Sequence, residues 1–581
     1  MRKFFLFLCC SIFSIHFSNA QDYYFKHFQV EEGLSNNTVL TSIQDNDGFM
    51  WFGTKDGLNR FDGYRFKTYR SKGDPIHSLG SNYIQSLHEH NGTIWVGTDK
   101  GLYHYDKKLD RFTILNEAIN DRINDINHDQ KDNIWFVSGN ILYKYAPKKQ
   151  QTTTFNPNKY FVTTSITKDY KGEIWASSLN KIYHYSEENL SFENIPLNPP
   201  ANKVNFRITV IYAVDQENIV IGTQDHGVLL YNRKDKTTTE LQFGIKEPVF
   251  VRQFRKKGND ELWIASESGV YVYNLKTKTA VNLRKNYNDP YAISDNAAYS
   301  ITIDKENGIW IGTYFGGINY HQKQYTQFKK YFPQNNQNSI SGSAVREIHK
   351  DDQGDLWIGT EDAGVNRFNP KTQQFTSYNV SYYNIHALMP RKDKIWVGTF
   401  EHGLDVLDRN SGAILKHYSA NDGRSGLHSN FIFSFYEMKN EDLIVVTTSG
   451  LYRYNEQADN FEILKFFPET YHYTNMKEDS DGNLWAGSYR DGLLFYNPKT
   501  KKKEVFTYDY KNSKGITNNT INAIFEDSSK NLWVATENGL NLVNRQNHTF
   551  TKFTTKNGMP SNVFYSILED DAKNLWLTTS K

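Results

Sequence analysis

Cysteine is nearly missing from this chain: 581 residues hold two, Cys9 and Cys10, side by side near the start. They lie in an apolar run at 4–17, with Arg2 and Lys3 before it and Ser18-Asn19-Ala20 after it, the three parts of an export signal. The residues ahead of Cys9, Leu6-Phe7-Leu8, lack the small side chains of a lipoprotein cleavage site. Cleavage near Gln21 predicts a mature chain without thiols, which excludes disulfides, thiolate metal sites and cysteine nucleophiles. No later stretch approaches the roughly 18–20 apolar residues that cross a bilayer, so no membrane insertion is expected after cleavage. Charge of one sign is lacking as well. Loss of Arg2 and Lys3 leaves 65 basic against 65 acidic side chains, and the longest block of like charge is Lys501-Lys502-Lys503. Such a surface does not steer polyanions, which argues against nucleic acid as a partner.

Tryptophan organises what is there. All eleven occupy one position of an apolar strand reading Leu/Ile-Trp-Val/Ile-Gly/Ala-Thr/Ser: Trp51, Trp95, Trp135, Trp175, Trp263, Trp310, Trp357, Trp396, Trp485, Trp533 and Trp576. Val220 and Ile444 fill the two gaps, making thirteen copies spaced 39 to 48 residues apart. Each copy holds four short strand signals separated by Gly, Asn and Asp; in the first they fall at 39–43, 50–53, 58–61 and 64–69. Four strands per 40 to 50 residues predicts propeller blades, and no 3.6-residue apolar period competes. Each tryptophan is expected to fill the wedge between neighbouring sheets. An Asp stands six residues before it in eight copies (Asp45, Asp129, Asp169, Asp304, Asp351, Asp479, Asp527 and Asp570), placed to accept a backbone N–H and close a hairpin.

Written as Asp-x-x-Gly-x-x-Trp-x-Gly-Thr-x-x-Gly-Leu, and matched in full by residues 45–58, the repeat resembles that of two-component regulator propellers, from about Tyr23 to Lys581. That resemblance implies the periplasmic sensor region of a hybrid two-component system, an all-β pair of tandem β-propellers that binds oligosaccharides from complex polysaccharides. It also implies a downstream immunoglobulin-like domain, membrane span and kinase, with dimerisation through that region. The expected division is a signal peptide at 1–20, a seven-bladed ring at 21–335, and a second ring at 336–581 with about six and a half blades. The linker candidate is the polar stretch 333–339, and the copy that stops at Lys581 after its second strand predicts a fragment or a prematurely terminated frame.

Ligand candidates come from the turn between the second and third strands, expected on the same face as the links between blades. Eight copies are short there. Five place three residues between Thr/Ser and Gly: Gln224-Asp225-His226, Tyr314-Phe315-Gly316, Glu361-Asp362-Ala363, Phe400-Glu401-His402 and Tyr489-Arg490-Asp491. Aromatic faces with polar neighbours suit sugars; the same residues also suit longer hairpins packed on adjacent loops. The recurring link Leu-Ser-x-Asn-x-Val, as in 34–39, 79–84 and 427–432, reads as turn chemistry.

Catalytic patterns are few. There is no Gly-x-Ser-x-Gly elbow, His-Glu-x-x-His or phosphate loop. His88-Glu89-His90 gives two imidazoles without a third ligand, and Asp479-Ser480-Asp481-Gly482 lacks the first ligand and the bidentate Glu of a calcium loop. No cofactor, metal or catalytic residue is assigned to this chain. Two other classes stay open: a secreted propeller glycosidase or lyase using acids such as Asp225, Glu361, Glu401 and Asp491, and a protein-protein scaffold.

Overall fold

The computed structural model describes residues 23–74, 77–156, 161–198, 206–243, 249–322 and 329–580; the segment 1–20, expected from the sequence to be an export signal, lies outside them. The chain forms two compact units, one ending at residue 329 and the other beginning at 330. Both are built of antiparallel sheets, and the described residues contain no α-helix.

The first unit has seven four-stranded sheets. Six are single runs of sequence, at 39–69, 84–114, 123–155, 163–195, 208–240 and 251–283. The seventh takes three strands from 298–321 and its outermost from Lys26–Phe28, which pairs antiparallel with Ile318–His321, Phe28 opposite Ile318. The first strands of successive sheets adjoin all the way round, the seventh reaching the first. At that joint Ser42 and Thr302 share a hydroxyl hydrogen bond of 2.8 Å, and the Gly317 N–H donates to the Asn37 carbonyl at 2.9 Å. The second unit has four-stranded sheets at 345–378, 385–418, 432–463, 473–506 and 521–553, then a two-stranded sheet at 564–579.

Within a sheet, the turn aspartate does more than close a hairpin. Asp129 Oδ1 accepts the N–H groups of Lys131 at 2.9 Å and Asn133 at 3.0 Å, while Oδ2 accepts the indole N–H of Trp135 at 2.8 Å. All eight six-residue Asp–Trp pairs make that indole bond, at 2.7 to 3.2 Å. A carboxylate acceptor makes this a charge-assisted bond worth about 1.5–3 kcal/mol when buried. Eight of the eleven tryptophans thus pair the indole donor with the turn of their own repeat, while Trp263 donates to Glu261 at 3.0 Å.

Between sheets, the motif glycine is a contact point. A Cβ on Gly53 would stand 2.6 Å from Ile84 of the next sheet, and one on Gly312 would stand 2.6 Å from Val39, across the joint of the seventh sheet with the first. Close packing leaves no room for it. One strand differs from expectation: residues 64 and 65 lie in a turn whose N–H groups donate to Asp62 Oδ1 at 2.8 and 2.7 Å, so the outer strand starts at Phe66.

Candidate functional site at the mouths of the two units

Every one of the thirteen sheets carries a register shift at the second residue of its first strand. A bulge there re-aims one side chain per blade at the end of the sheet. The first residue of each longer turn reaches the same end. Its N–H donates to the carbonyl just before the first strand of its own sheet: Gln224 to Arg207, Tyr314 to Ala297, Glu361 to Ala344, Phe400 to Asn384 and Tyr489 to His472, all at 2.9 to 3.0 Å. Turns and bulged residues therefore make one mouth per unit. The bulged residues include Arg252 and Tyr299 in the first unit and Arg346, His386 and Phe433 in the second.

In the first unit the mouth aromatics are already covered by cations. Lys55 Nζ lies 3.9 Å from the Tyr314 ring centre and donates to its hydroxyl; Tyr314 packs 5.2 Å from Tyr299. The Arg252 guanidinium sits over both Phe250 and Tyr299, at 4.0 and 4.4 Å, and donates to Glu267 at 2.8 Å. Tyr314 is therefore a packing residue, and the neighbouring Phe315, 72% exposed, is the ring that projects. Asp225 and His226 bond to each other in a separate turn, two sheets away from Tyr314.

In the second unit three sheets contribute to a continuous ladder of rings. Phe400 lies 4.7 Å from Phe431 and 5.5 Å from His386; Phe431 stacks on Phe433 at 5.6 Å; His472 lies 5.6 Å from Phe433 and 5.3 Å from Tyr489. Arg346 covers Phe433 at 5.2 Å and pairs with Glu361 at 3.2 Å; Arg490 lies 5.3 Å from the Tyr489 ring. Two imidazole nitrogens in the ladder, His386 Nδ1 and His472 Nε2, are buried without a hydrogen-bond partner, as are the amide oxygens of Asn384 and Asn475. Burial, then Arg346, pushes His386 down to about 4 against the opposing pull of Glu361. Burial, then Arg490, lowers His472. Both are neutral near pH 7 and can each accept or donate one bond.

The ladder joins Phe400, Tyr489, Arg490 and Glu361 from the longer turns. It leaves out Glu401, exposed at a left-handed φ of 60°, and His402, which stacks on Tyr382 at 3.7 Å. Asp491 donates its backbone N–H to Ser488 at 2.8 Å, and Asp362 accepts from Ser343. Sequence reasoning missed His386, Phe431, Phe433 and His472. Their signal was the pair of positions flanking the buried apolar residue that opens each first strand, here Ile385, Ile432 and Tyr473, which vary from copy to copy.

Metal chemistry has little purchase. Asp169, Glu173 and His184 hold ligand atoms within 4.8 Å of one another, but Arg233 lies 2.8 Å from Asp169 and 3.5 Å from Glu173, occupying the charge a cation would. His88 is bonded to His128 at 2.8 Å, and His90 to Asp132 at 3.1 Å. Asp479 is a hairpin acceptor for Asp481, Asn483 and Trp485.

Sheets of four antiparallel strands, repeated with their first strands side by side, define a β-propeller protein. Six of its repeats match the model of the two component regulator propeller family, at residues 33–56, 78–100, 292–315, 339–362, 515–538 and 558–581. The fold is similar to the extracellular domain of a proposed hybrid two component system, BT3049, of B. thetaiotaomicron. The TM-score is 0.60, with 22% identity over 96% of this chain and 82% of that one. Over 102 residues the chain is 32% identical to Histidine kinase P4 of Formosa agariphila; the match covers 17% of this chain and 7% of that protein, so the two share a small part of the kinase's length.

Proposed function

We propose that this chain is the ligand-sensing region of a hybrid two-component signalling protein, exported to the periplasm, and that it binds an oligosaccharide released from a complex polysaccharide without cleaving it. The observation that carries this reading is the second unit's ladder from Phe400 to Tyr489 with its two unpartnered imidazole nitrogens. Flat rings take the C–H faces of a sugar, and neutral imidazoles take its hydroxyls. Buried polar groups without partners are uncommon in finished structures, and a ligand that satisfies them gains what the empty site forgoes. The regulator-propeller repeats and the kinase relative support a signalling role. Occupancy must favour one arrangement of a larger protein over another, since a ligand shifts an equilibrium only by its differential affinity.

Calorimetric titration of the chain with a panel of oligosaccharides, with product analysis on the same samples, tests this. Saturable binding of sugars recovered intact is expected, weakened at least tenfold by Tyr489→Ala. Cleaved sugars would establish an enzyme instead. Binding untouched by Tyr489→Ala and by His472→Ala would move the site elsewhere.

A further inference from the structure

The central channel of the first unit, about 380 Å³ in volume, is lined by the first strands of its seven sheets. Among the described residues, its wall holds donors with nothing to donate to. Gln253 accepts the Ile301 N–H through Oε1 at 2.6 Å, and Asn127 accepts the His128 N–H through Oδ1 at 2.9 Å. A backbone N–H can only donate, so both amide orientations are settled and both NH2 groups are left over. Arg255 uses one of its five N–H groups on the Phe254 carbonyl at 2.9 Å. Lys168 donates to His128 Nε2, so His128 must donate from Nδ1 to His88 Nε2 at 2.8 Å, leaving His88 an N–H at Nδ1.

Anionic acceptors are scarce by comparison. Among the described residues Asp125 is the single carboxylate lining the channel, and three groups of the wall already hold it: the Ile126 N–H at 2.9 Å, the Ser165 hydroxyl at 3.0 Å and the Ile166 N–H at 2.9 Å. Among the described residues it makes no ion pair with Arg255. Arg252, at the rim, is neutralised by Glu267. Burial first, then the neighbouring imidazoles and the charges of Lys168 and Arg255, push His88 down to about 3, so it serves as a neutral donor. The channel is left with two cations, one engaged carboxylate and several spare N–H groups.

We propose that this channel is a binding site for an oxyanion, a phosphate, sulfate or carboxylate group, held by Arg255 and Lys168 with the amides of Gln253 and Asn127. A guanidinium presents paired donors to such a group, and an ammonium adds a point charge. The site is separate from the ring ladder of the second unit, and neither reading depends on the other.

The test is calorimetric titration of the whole chain with sodium sulfate and sodium phosphate at constant ionic strength, sodium chloride serving as control, followed by glucuronate and glucose 6-sulfate. Saturable binding of one of the oxyanion probes is expected, with Kd raised at least tenfold by Arg255→Met and raised again in the double variant with Lys168→Met. Equal affinity for inorganic and sugar-borne groups identifies a free ion as the ligand; tighter binding of the sugar-borne group identifies an acidic saccharide. Absence of saturable binding by all four probes overturns the proposal, as does binding unchanged in Arg255→Met. Circular dichroism checks the fold of each variant, and should Arg255→Met fail to fold, Lys168→Met alone carries the comparison.

Discussion

The two units are made of one repeat, yet their end sheets differ. In the first, Val39 and Trp310 are buried in one cluster, on either side of the joint between the first and seventh sheets. In the second, the equivalent strand 345–350 is largely open to solvent, with Ile348 58% exposed. At the other end burial fades from sheet to sheet: Trp485 is buried, Trp533 half-buried and Trp576 54% exposed. The Asp–Trp bond is nonetheless present in all three, at 2.9, 2.9 and 2.8 Å. Two kinds of stabilisation are thereby separated. Hairpin chemistry belongs to the single repeat, whereas burial of the tryptophan face belongs to the contact with the next one, as expected when stability is a sum of repeat and neighbour terms.

The largest effect should come from breaking the joint. Gly312→Val would push a side chain into Val39 and Ser300, which lie 2.6 and 2.4 Å from where its Cβ would stand. Overpacking of this kind costs about 3 kcal/mol. Scanning calorimetry should show the first unit's transition lowered and the second's unmoved; hydrogen exchange should place lost protection on strands 39–44 and 298–303. Loss of protection in both units together would show that they unfold as one.

Next comes the separation of the two terms. Trp135→Phe removes a buried indole and one of the two side-chain donors to Asp129 Oδ2, leaving that of Asn133 at 2.8 Å, a loss of about 2–3 kcal/mol. Trp576→Phe removes the same bond where water can replace it, and should cost under about 1 kcal/mol. Urea melts of the two variants measure the difference. Equal costs would mean that the bond, and not the neighbouring sheet, sets the stability of a repeat.

How much of this was readable beforehand varies by feature. Tryptophan spacing revealed the sheets, because one large residue per repeat leaves a period that no loop length hides. The indole bond to Asp was only half visible: six residues is a short interval in sequence, but the geometry that joins them depends on the hairpin's being two-stranded and tight. The Lys26–Phe28 strand was not legible at all. Its three residues precede the first copy, and its partner is nearly three hundred residues away. In the second unit's ladder, Phe400 and Tyr489 were found from turn length, while His386 and His472 were not: His386 is re-aimed by a bulge and His472 lies just ahead of its strand, positions that the alternation of polar and apolar residues does not single out.

Acid should act on both units, with different end points. His88, His128 and His386 sit at about 3, 4 and 4 when folded, all below the ordinary 6.5, chiefly through burial. The unfolded chain therefore takes up protons first as pH falls. The stability tied to these groups is complete above about pH 6.5 and is lost as pH drops to 4, with a further loss toward 3 in the first unit alone. The change tied to His386 is on the order of 2 kcal/mol. Thermal melts between pH 7 and 4 should therefore show His386→Asn flattening the profile of the second unit and leaving that of the first unchanged.

The smallest effect expected is at Phe315. Its neighbour Tyr314 is held by Lys55 and Tyr299, and the turn itself is fixed from the backbone, the Phe315 N–H donating to Asp295 at 2.9 Å and the Gly316 N–H to Thr313 at 3.1 Å. The Phe315 ring touches Tyr314 edge-on at 4.8 Å and otherwise faces solvent. Phe315→Ala should alter the first unit's stability by no more than about 0.5 kcal/mol, whereas Phe400→Ala, whose ring packs between Phe431 and His386, should cost the second unit more than 1 kcal/mol. Both are read from the same pair of melting transitions. A cost at Phe315 equal to that at Phe400 would show that the first unit's mouth is packed in the same way as the second's, and that its exposed ring is no freer to meet a ligand.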